Sequence, residues 1–370
     1  MKTIIFSEYS RDHILIHCRK EGMTMFSHDT LDHFPKVSLL DDATPIQRLE
    51  RLEQTLGLPA KDIQLFVKRD DFNSLGGGGN KLRKLEFIVG DALHRGADTV
   101  VAVGGLQSNF ARLTAAVCAK LGLQCDLVLT SPTSSMPNDF ARNGNMVLDR
   151  ILGAHIHIVP TGITGREFAH EIAAKLSRRG CNPYLVELGG SSPIGALGYA
   201  LCAFEIENQI RALGQSVSSI VLPNGSSGTH AGLAAGMYLA GKNPALIKAF
   251  SVLAPKEIAH AATVEKTQAV LKLLGSSVEA NPMDIEISDE QLGDGYGIPT
   301  DAMKAAVHQM ARTEGLFLDP VYGGKAFAGL LSDLSSGHYQ SGERILFLMT
   351  GGSPGIFAYA NHFLDEPASD

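Results

Sequence analysis

A lysine that follows four consecutive glycines is the clearest chemical signal in this chain: Gly76-Gly77-Gly78-Gly79-Asn80-Lys81-Leu82-Arg83-Lys84. The pattern places Lys81 at the start of a helix, where the positive end of the dipole and nearby Lys84 both disfavour its ammonium form. An amine with a lowered pKa can condense with a carbonyl, and the glycines would let a flat ligand approach the backbone. The same residues also fit a plain glycine-rich turn capping an amphipathic helix, with Lys81 solvated. Two nucleotide readings fail on spacing. A Walker A loop needs Gly before the lysine and Ser or Thr after it, where Asn80 and Leu82 stand. A dinucleotide fingerprint counted from Gly76 needs glycine at the position of Lys81.

Three further glycine-rich turns could hold a ligand: Gly104-Gly105-Leu106-Gln107-Ser108-Asn109, Asn224-Gly225-Ser226-Ser227-Gly228-Thr229 and Thr350-Gly351-Gly352-Ser353-Pro354-Gly355. Each follows an apolar run. The middle one is the best anion cup, because its small residues expose backbone N–H groups, Ser226, Ser227 and Thr229 add hydroxyls, and a helix follows. A tight strand-to-helix connection needs small residues too, but three hydroxyls exceed what a turn requires.

The elements that carry these turns alternate in type. Strands are expected at Thr99 to Val103, Cys125 to Thr130, His155 to Val159, Tyr184 to Glu187, Ser219 to Leu222, Ile247 to Val252 and Ile345 to Met349. Helices are expected at Gln107 to Leu121, Asn143 to Leu152, Arg166 to Arg178, Ile194 to Leu213, Thr229 to Ala240, Glu257 to Leu274 and Asp301 to Glu314. Such repeats make an α/β protein, two-lobed, with mostly parallel sheets and helices on both faces. Ligands in such folds gather at the carboxyl ends of strands, where the three turns fall. Ser131 to Asn138 is the most linker-like segment.

Length and composition agree. A chain of 370 residues with 44% hydrophobic and 19% charged residues is long enough for two domains and a substantial core. A net charge of −7, with no basic cluster interleaved with aromatics, disfavours a nucleic-acid surface. The odd set Cys18, Cys118, Cys125, Cys181 and Cys202 contains no CxxC pair and fits a reducing cytoplasm. The first residues lack the continuous apolar region of a signal peptide, and no run approaches a membrane span.

Taken in order, these pieces resemble the pyridoxal-phosphate enzymes of the tryptophan-synthase-β type (fold type II), and within them the D-cysteine desulfhydrase and 1-aminocyclopropane-1-carboxylate deaminase family. The matching residues are Lys68-Arg69-Asp70-Asp71, Gly78 to Glu86, Gln107-Ser108-Asn109, Gly195 to Tyr199, Gly228 to Gly232, Tyr296 to Pro299 and Asp319-Pro320-Val321-Tyr322. The resemblance implies that Lys81 carries pyridoxal phosphate as a Schiff base and shuttles a proton. It implies that Lys84 and Gly225, Ser226, Ser227, Gly228 and Thr229 hold the phosphate, that Asn109 meets the ring hydroxyl, and that Thr350 faces the pyridine nitrogen. Gln107, Ser108 and Asn109 would bind substrate, with Gln107 and Ser108 at its carboxylate; Ser108, Tyr296 and Tyr322 would surround the reacting carbons. Residues 1–77 with 192–370 would form a large cofactor-binding domain, and 78–191 a small α/β domain. A cytoplasmic homodimer acting on a small amino acid is implied, without nucleic-acid or membrane partners.

The reaction so implied is α,β-elimination, with D-cysteine giving pyruvate, ammonia and hydrogen sulfide. A hydroxyl at the ring nitrogen leaves a weaker electron sink than an Asp would, which is tolerable when a good leaving group departs from Cβ. Opening an unactivated cyclopropane fits less well. Ring-opening members resemble one another in having Glu after the DPVY tyrosine and Leu before the last GG, where this chain has Gly323 and Thr350. Phe110, standing where relatives commonly carry a polar residue, could reshape the pocket. Alternatives are 1-aminocyclopropane-1-carboxylate deamination, elimination from L-cysteate, and a sensor that binds pyridoxal phosphate without turnover.

Other signals are weaker. His155 and His157 share a strand face without a third ligand at sensible spacing, so no metal is expected. His230 is expected to pack or cap. Asp70 and Asp71, on opposite faces of a strand, are expected to pair with nearby cations. A serine-hydrolase elbow is missing.

Overall fold

The computed structural model describes residues 31, 33–131 and 140–364. Cys18 and positions 132–138 of the linker-like segment lie outside them. Among the described residues, ten strands form two sheets. Strands β1 (Ile46–Arg48), β2 (Gln64–Arg69), β7 (Ser219–Asn224), β8 (Ile247–Ser251), β9 (Glu286–Ser288) and β10 (Arg344–Met349) make the larger one, ordered β1-β2-β10-β7-β8-β9. It is parallel except for the β1–β2 pair. Strands β3 (Thr99–Gly105), β4 (Gln124–Thr130), β5 (His155–Ile158) and β6 (Pro183–Val186) make a fully parallel sheet ordered β5-β4-β3-β6.

Among the described residues, ten helices of six or more residues connect the strands: α1 (Glu50–Thr55), α2 (Lys81–His94), α3 (Asn109–Leu121), α4 (Asn145–Ile151), α5 (Gly165–Arg178), α6 (Pro193–Ala212), α7 (Gly228–Leu239), α8 (Lys256–Leu273), α9 (Asp301–Glu314) and α10 (Gly323–Ser335). Parallel strands buried on both faces read as continuous apolar runs, and successive side chains choose opposite layers. In β3, Val100 and Ala102 pack with α2 and α3, whereas Val101 packs with Ala169, Ile172 and Leu176 of α5. In β10, Ile345 and Phe347 meet α9 and α10, whereas Leu346 and Leu348 meet α6 and α7. Helices thus cover both faces of each sheet, as expected.

Local side chains close the helix starts. Ser192 caps α6 by accepting from Gly195 N, with Pro193 at the first helical position, and Thr164 and Glu167 form a reciprocal capping box on α5. Helix α6 lies against α2 so closely that a Cβ on Gly198 would stand 2.0 Å from the Arg83 carbonyl oxygen. That approach fixes α2, and with it Lys81.

Every strand and helix expected from position 99 onward is present, with ends displaced by no more than two residues. Unforeseen are β1, β9, α1 and α10, and β2 was expected only as a strand carrying Asp70 and Asp71. Asp70 and Asp71 follow β2 in a turn rather than standing on the strand. They pair as expected: Asp70 with Arg83 at 2.9 Å, and Asp71 with Arg69 at 2.7 Å.

Candidate active site

Lys81 opens α2, and the glycines before it serve to bend the chain. A Cβ on Gly78 would stand 2.1 Å from the Asp71 carbonyl oxygen, and Gly78 has φ +71°, so only glycine passes there. Gly76 is pressed against Ala116 and Leu113 of α3. None of the four glycines lines the cavity, which begins at Asn80 and Lys81. The expectation that they admit a ligand is therefore corrected: they are spent on tight packing. Asn80 ties the corner together, donating its backbone N–H to Thr350 O at 3.0 Å and its amide to Thr229 Oγ1 at 3.2 Å.

The cavity, of about 260 Å³, draws its wall from both sheets. The β3–α3 turn contributes Gly105, Ser108, Asn109 and Phe110; the β7–α7 turn contributes Gly225 to His230; and Tyr296, Tyr322 and Thr350 close it. Burial pulls the Lys81 amine down to about 8, opposed by the nearby Asp319 carboxylate. Desolvation is the largest cause, and the repulsion between Lys81 and Lys84 inferred from sequence is present as well. At neutral pH an appreciable fraction of this amine is unprotonated, against about one part in a thousand for an ordinary lysine.

The β7–α7 turn is built as an anion cradle. Ser227 holds φ +67°, rare for a residue with a side chain, and its hydroxyl donates to Asn224 Oδ1 at 3.3 Å. Helix α7 begins one residue later, so its first N–H groups lack intrahelical partners beside the cavity. Lys84 stands behind this turn and does not line the cavity. Its ammonium group donates to Ser191 Oγ at 3.1 Å and Gly189 O at 3.2 Å, and Ser191 Oγ contacts Ser226 Oγ at 2.6 Å. Burial and the Lys81 charge push Lys84 well below the usual lysine range. His230 is fully buried and pulled down to about 3 by desolvation, so it is neutral.

Beside the first residue of the cradle, where a Cβ on Gly225 would stand 3.1 Å from the Tyr322 ring, Tyr296 and Tyr322 bring their hydroxyls to 2.5 Å, and the Tyr322 ring centre lies 5.9 Å from Lys81 Nζ. Burial raises both phenols, so each keeps its proton at neutral pH. Tyr322 is set by Asp319, whose carboxylate accepts from the N–H groups of Val321, Tyr322 and Gly323 at 2.7 to 3.1 Å. Asp319 is fully buried and pushed up to about 6 by desolvation, with Lys81 pulling the other way. Asp319 was legible only as part of the Asp319-Pro320-Val321-Tyr322 motif.

Gln107 does not line the cavity. Its amide nitrogen donates to Phe140 O and Asn143 O, and its oxygen accepts from Asn145 N at 2.9 Å. With those atoms committed to backbone, the expected carboxylate contact by Gln107 is corrected; Ser108, whose Oγ caps α3, and Asn109 remain at the wall. Phe110 is buried and stacked beside Gly190, where a Cβ would stand 2.6 Å from its ring. His155 and His157 face Asp126, His157 at 2.7 Å. Among the described residues, no group of three or more His, Cys, Asp or Glu side chains is arranged to hold a metal ion.

A family model described as pyridoxal-phosphate dependent enzyme matches residues 37–351. The chain belongs to this family. It is 39% identical over 330 residues to a D-cysteine desulfhydrase of Serratia proteamaculans, covering 89% of this chain and 97% of that one. It is 40% identical to a D-cysteine desulfhydrase of Yersinia enterocolitica, covering 89% and 98%. A solved structure titled as an ACC deaminase homologue superposes with TM-score 0.79 at 36% identity, covering 91% and 97%. The crystal structure of O-ureido-L-serine synthase, at 20% identity and TM-score 0.60, shares the fold. The fold is therefore that of the type II pyridoxal-phosphate enzymes, and the protein is a pyridoxal-phosphate dependent lyase of the desulfhydrase and deaminase group. The cavity suits that cofactor, since a partly unprotonated amine and an anion cradle face one space.

Proposed function

We propose that this protein eliminates hydrogen sulfide from D-cysteine, D-cysteine and water giving pyruvate, ammonia and hydrogen sulfide. The observation that carries the reading is the pairing, around one cavity, of the partly unprotonated Lys81 amine with the protonated Tyr296–Tyr322 couple. When bound, pyridoxal phosphate supplies the electron sink that lets a proton leave Cα and a thiolate leave Cβ. Lys81 holds the cofactor and takes the Cα proton. The turn from Gly225 to Thr229 would receive the phosphate, with Lys84 behind it bracing Ser226 through Ser191. Asn109 meets the ring hydroxyl, Thr350 the ring nitrogen, and Ser108 the substrate carboxylate. Tyr322, with its proton held by burial and its backbone by Asp319, delivers a proton to the leaving sulfur through the Tyr296 couple.

Residues 1–77 with 192–370 act in this reading as the cofactor-binding domain, and 78–191 as the smaller one. The enzyme works as a cytoplasmic homodimer without nucleic-acid partners; among the described residues, no helix is long and apolar enough to cross a membrane. The test is a product assay with D-cysteine, L-cysteine, L-cysteate and 1-aminocyclopropane-1-carboxylate. Pyruvate and sulfide should form fastest from D-cysteine. Faster release of 2-oxobutyrate from the cyclopropane substrate would overturn the assignment, as would binding without turnover of any of the four.

A further inference from the structure

We infer that Asn145 is a positioning residue which, docked by Gln107, fixes the side-chain amide of Asn109 with its N–H₂ group free for the cofactor. The inference rests on the proposed contact between Asn109 and the ring oxygen. Its logic is one of donors and acceptors. Asn145 Nδ2 faces two atoms, the Gln107 carbonyl oxygen at 3.0 Å and the Asn109 side chain at 2.8 Å. A backbone carbonyl only accepts, so the atom of Asn145 that meets it is the nitrogen. The Asn109 atom meeting that same nitrogen is consequently its oxygen, Oδ1. That leaves Asn109 Nδ2 as the group free to donate to a ring oxygen.

The supports beneath this arrangement are equally constrained. Gln107 donates to two backbone carbonyls, of Phe140 and Asn143, which fixes its own oxygen against Asn145 N. Gly144, at φ +55°, is held where a Cβ would stand 2.6 Å from Gln107 Oε1. On the far side, a Cβ on Gly352 would stand 2.3 Å from Asn109 Nδ2, so glycine there makes room for the amide. Asn145 is fully buried. It therefore reaches the cofactor only through Asn109.

The experiment is a double-mutant cycle over Asn109→Ala and Asn145→Ala, read by pyridoxal phosphate affinity and by the pH titration of the visible band of the loaded protein. Asn145→Ala should weaken cofactor affinity about tenfold, the worth of one hydrogen bond to a charged oxygen. It should move the band midpoint in the same direction as Asn109→Ala, and cost little further in the Asn109→Ala background. Circular dichroism of the apoprotein checks folding, and Asn145→Ser, with one donor instead of two, supplies a milder variant with a smaller shift of the same sign. Additive effects, or an unchanged band in a folded Asn145 variant, would overturn the inference. A wild-type protein with no saturable visible band would instead sink the proposed function on which it stands.

Discussion

Helix α2 carries three cations within four residues, and they meet opposite fates. Arg83 is fully buried and fully matched: it binds both oxygens of Asp70, both oxygens of Glu205 and the Thr44 hydroxyl, all at 2.8 to 2.9 Å. Asp70 also accepts from the Tyr199 hydroxyl, and Lys68 joins through Glu205. These neighbours hold the Arg83 charge well above its usual range despite desolvation. Lys81 and Lys84, on the same helix, have no carboxylate within salt-bridge distance among the described residues. Burial then wins, and both are pushed down. The difference separates two uses of a buried cation. A matched one locks the helix to the larger sheet, and an unmatched one is left in want of an anion or a carbonyl.

Three changes break or sharpen that contrast. Lys81→Met should abolish elimination by about a thousandfold or more, as the loss of the proposed covalent anchor and base predicts. The same change should stabilise the apoprotein. The folded-state pKa lies below the unfolded one, so the penalty of a buried amine is present below about 8 and fades as pH rises toward 10.5. Urea midpoints of wild type and variant at pH 7 and pH 10 check this, with the larger gain at pH 7. Asp70→Ala should do the reverse, costing about 3 to 5 kcal/mol of stability by stranding Arg83; a denaturation curve matching wild type would show that Glu205 alone suffices. The smallest effect is expected from Asp319→Asn. Removing the charge that opposes burial lowers the Lys81 midpoint below about 8, so the apoprotein should capture pyridoxal phosphate at lower pH than wild type. A rapid-mixing pH profile of visible-band growth measures it.

How much of this was legible in the sequence depended on the kind of signal. Strands β3, β4, β7, β8 and β10 are short apolar runs ending in turns, and such runs have few other uses in a parallel sheet. Helix α10 stayed hidden because it opens on Gly323-Gly324, which reads as a turn; Gly324 and Gly329 are in fact packing against Met303 and the Phe250 ring. The three-residue strands β1 and β9 are too short for a period. At the site, Lys81, Ser108, Asn109, the turn from Gly225 to Thr229, Tyr296, Tyr322 and Thr350 all reach one cavity. Gln107 was misjudged because nothing local distinguishes an amide facing a ligand from one facing carbonyls more than thirty residues away. Asn145 and Asp319 act through neighbours, and only coordinates reveal such second-hand roles.

Because the cavity wall runs from Asn80 to Thr350 and borrows from both sheets, whatever fills it staples the early part of the chain to its end. Retention of that filler and survival of the fold then become a single equilibrium, in which each tenfold excess over the dissociation constant adds about 1.4 kcal/mol. The free concentration of pyridoxal phosphate would thereby set how readily each copy unfolds as well as how much of it is active.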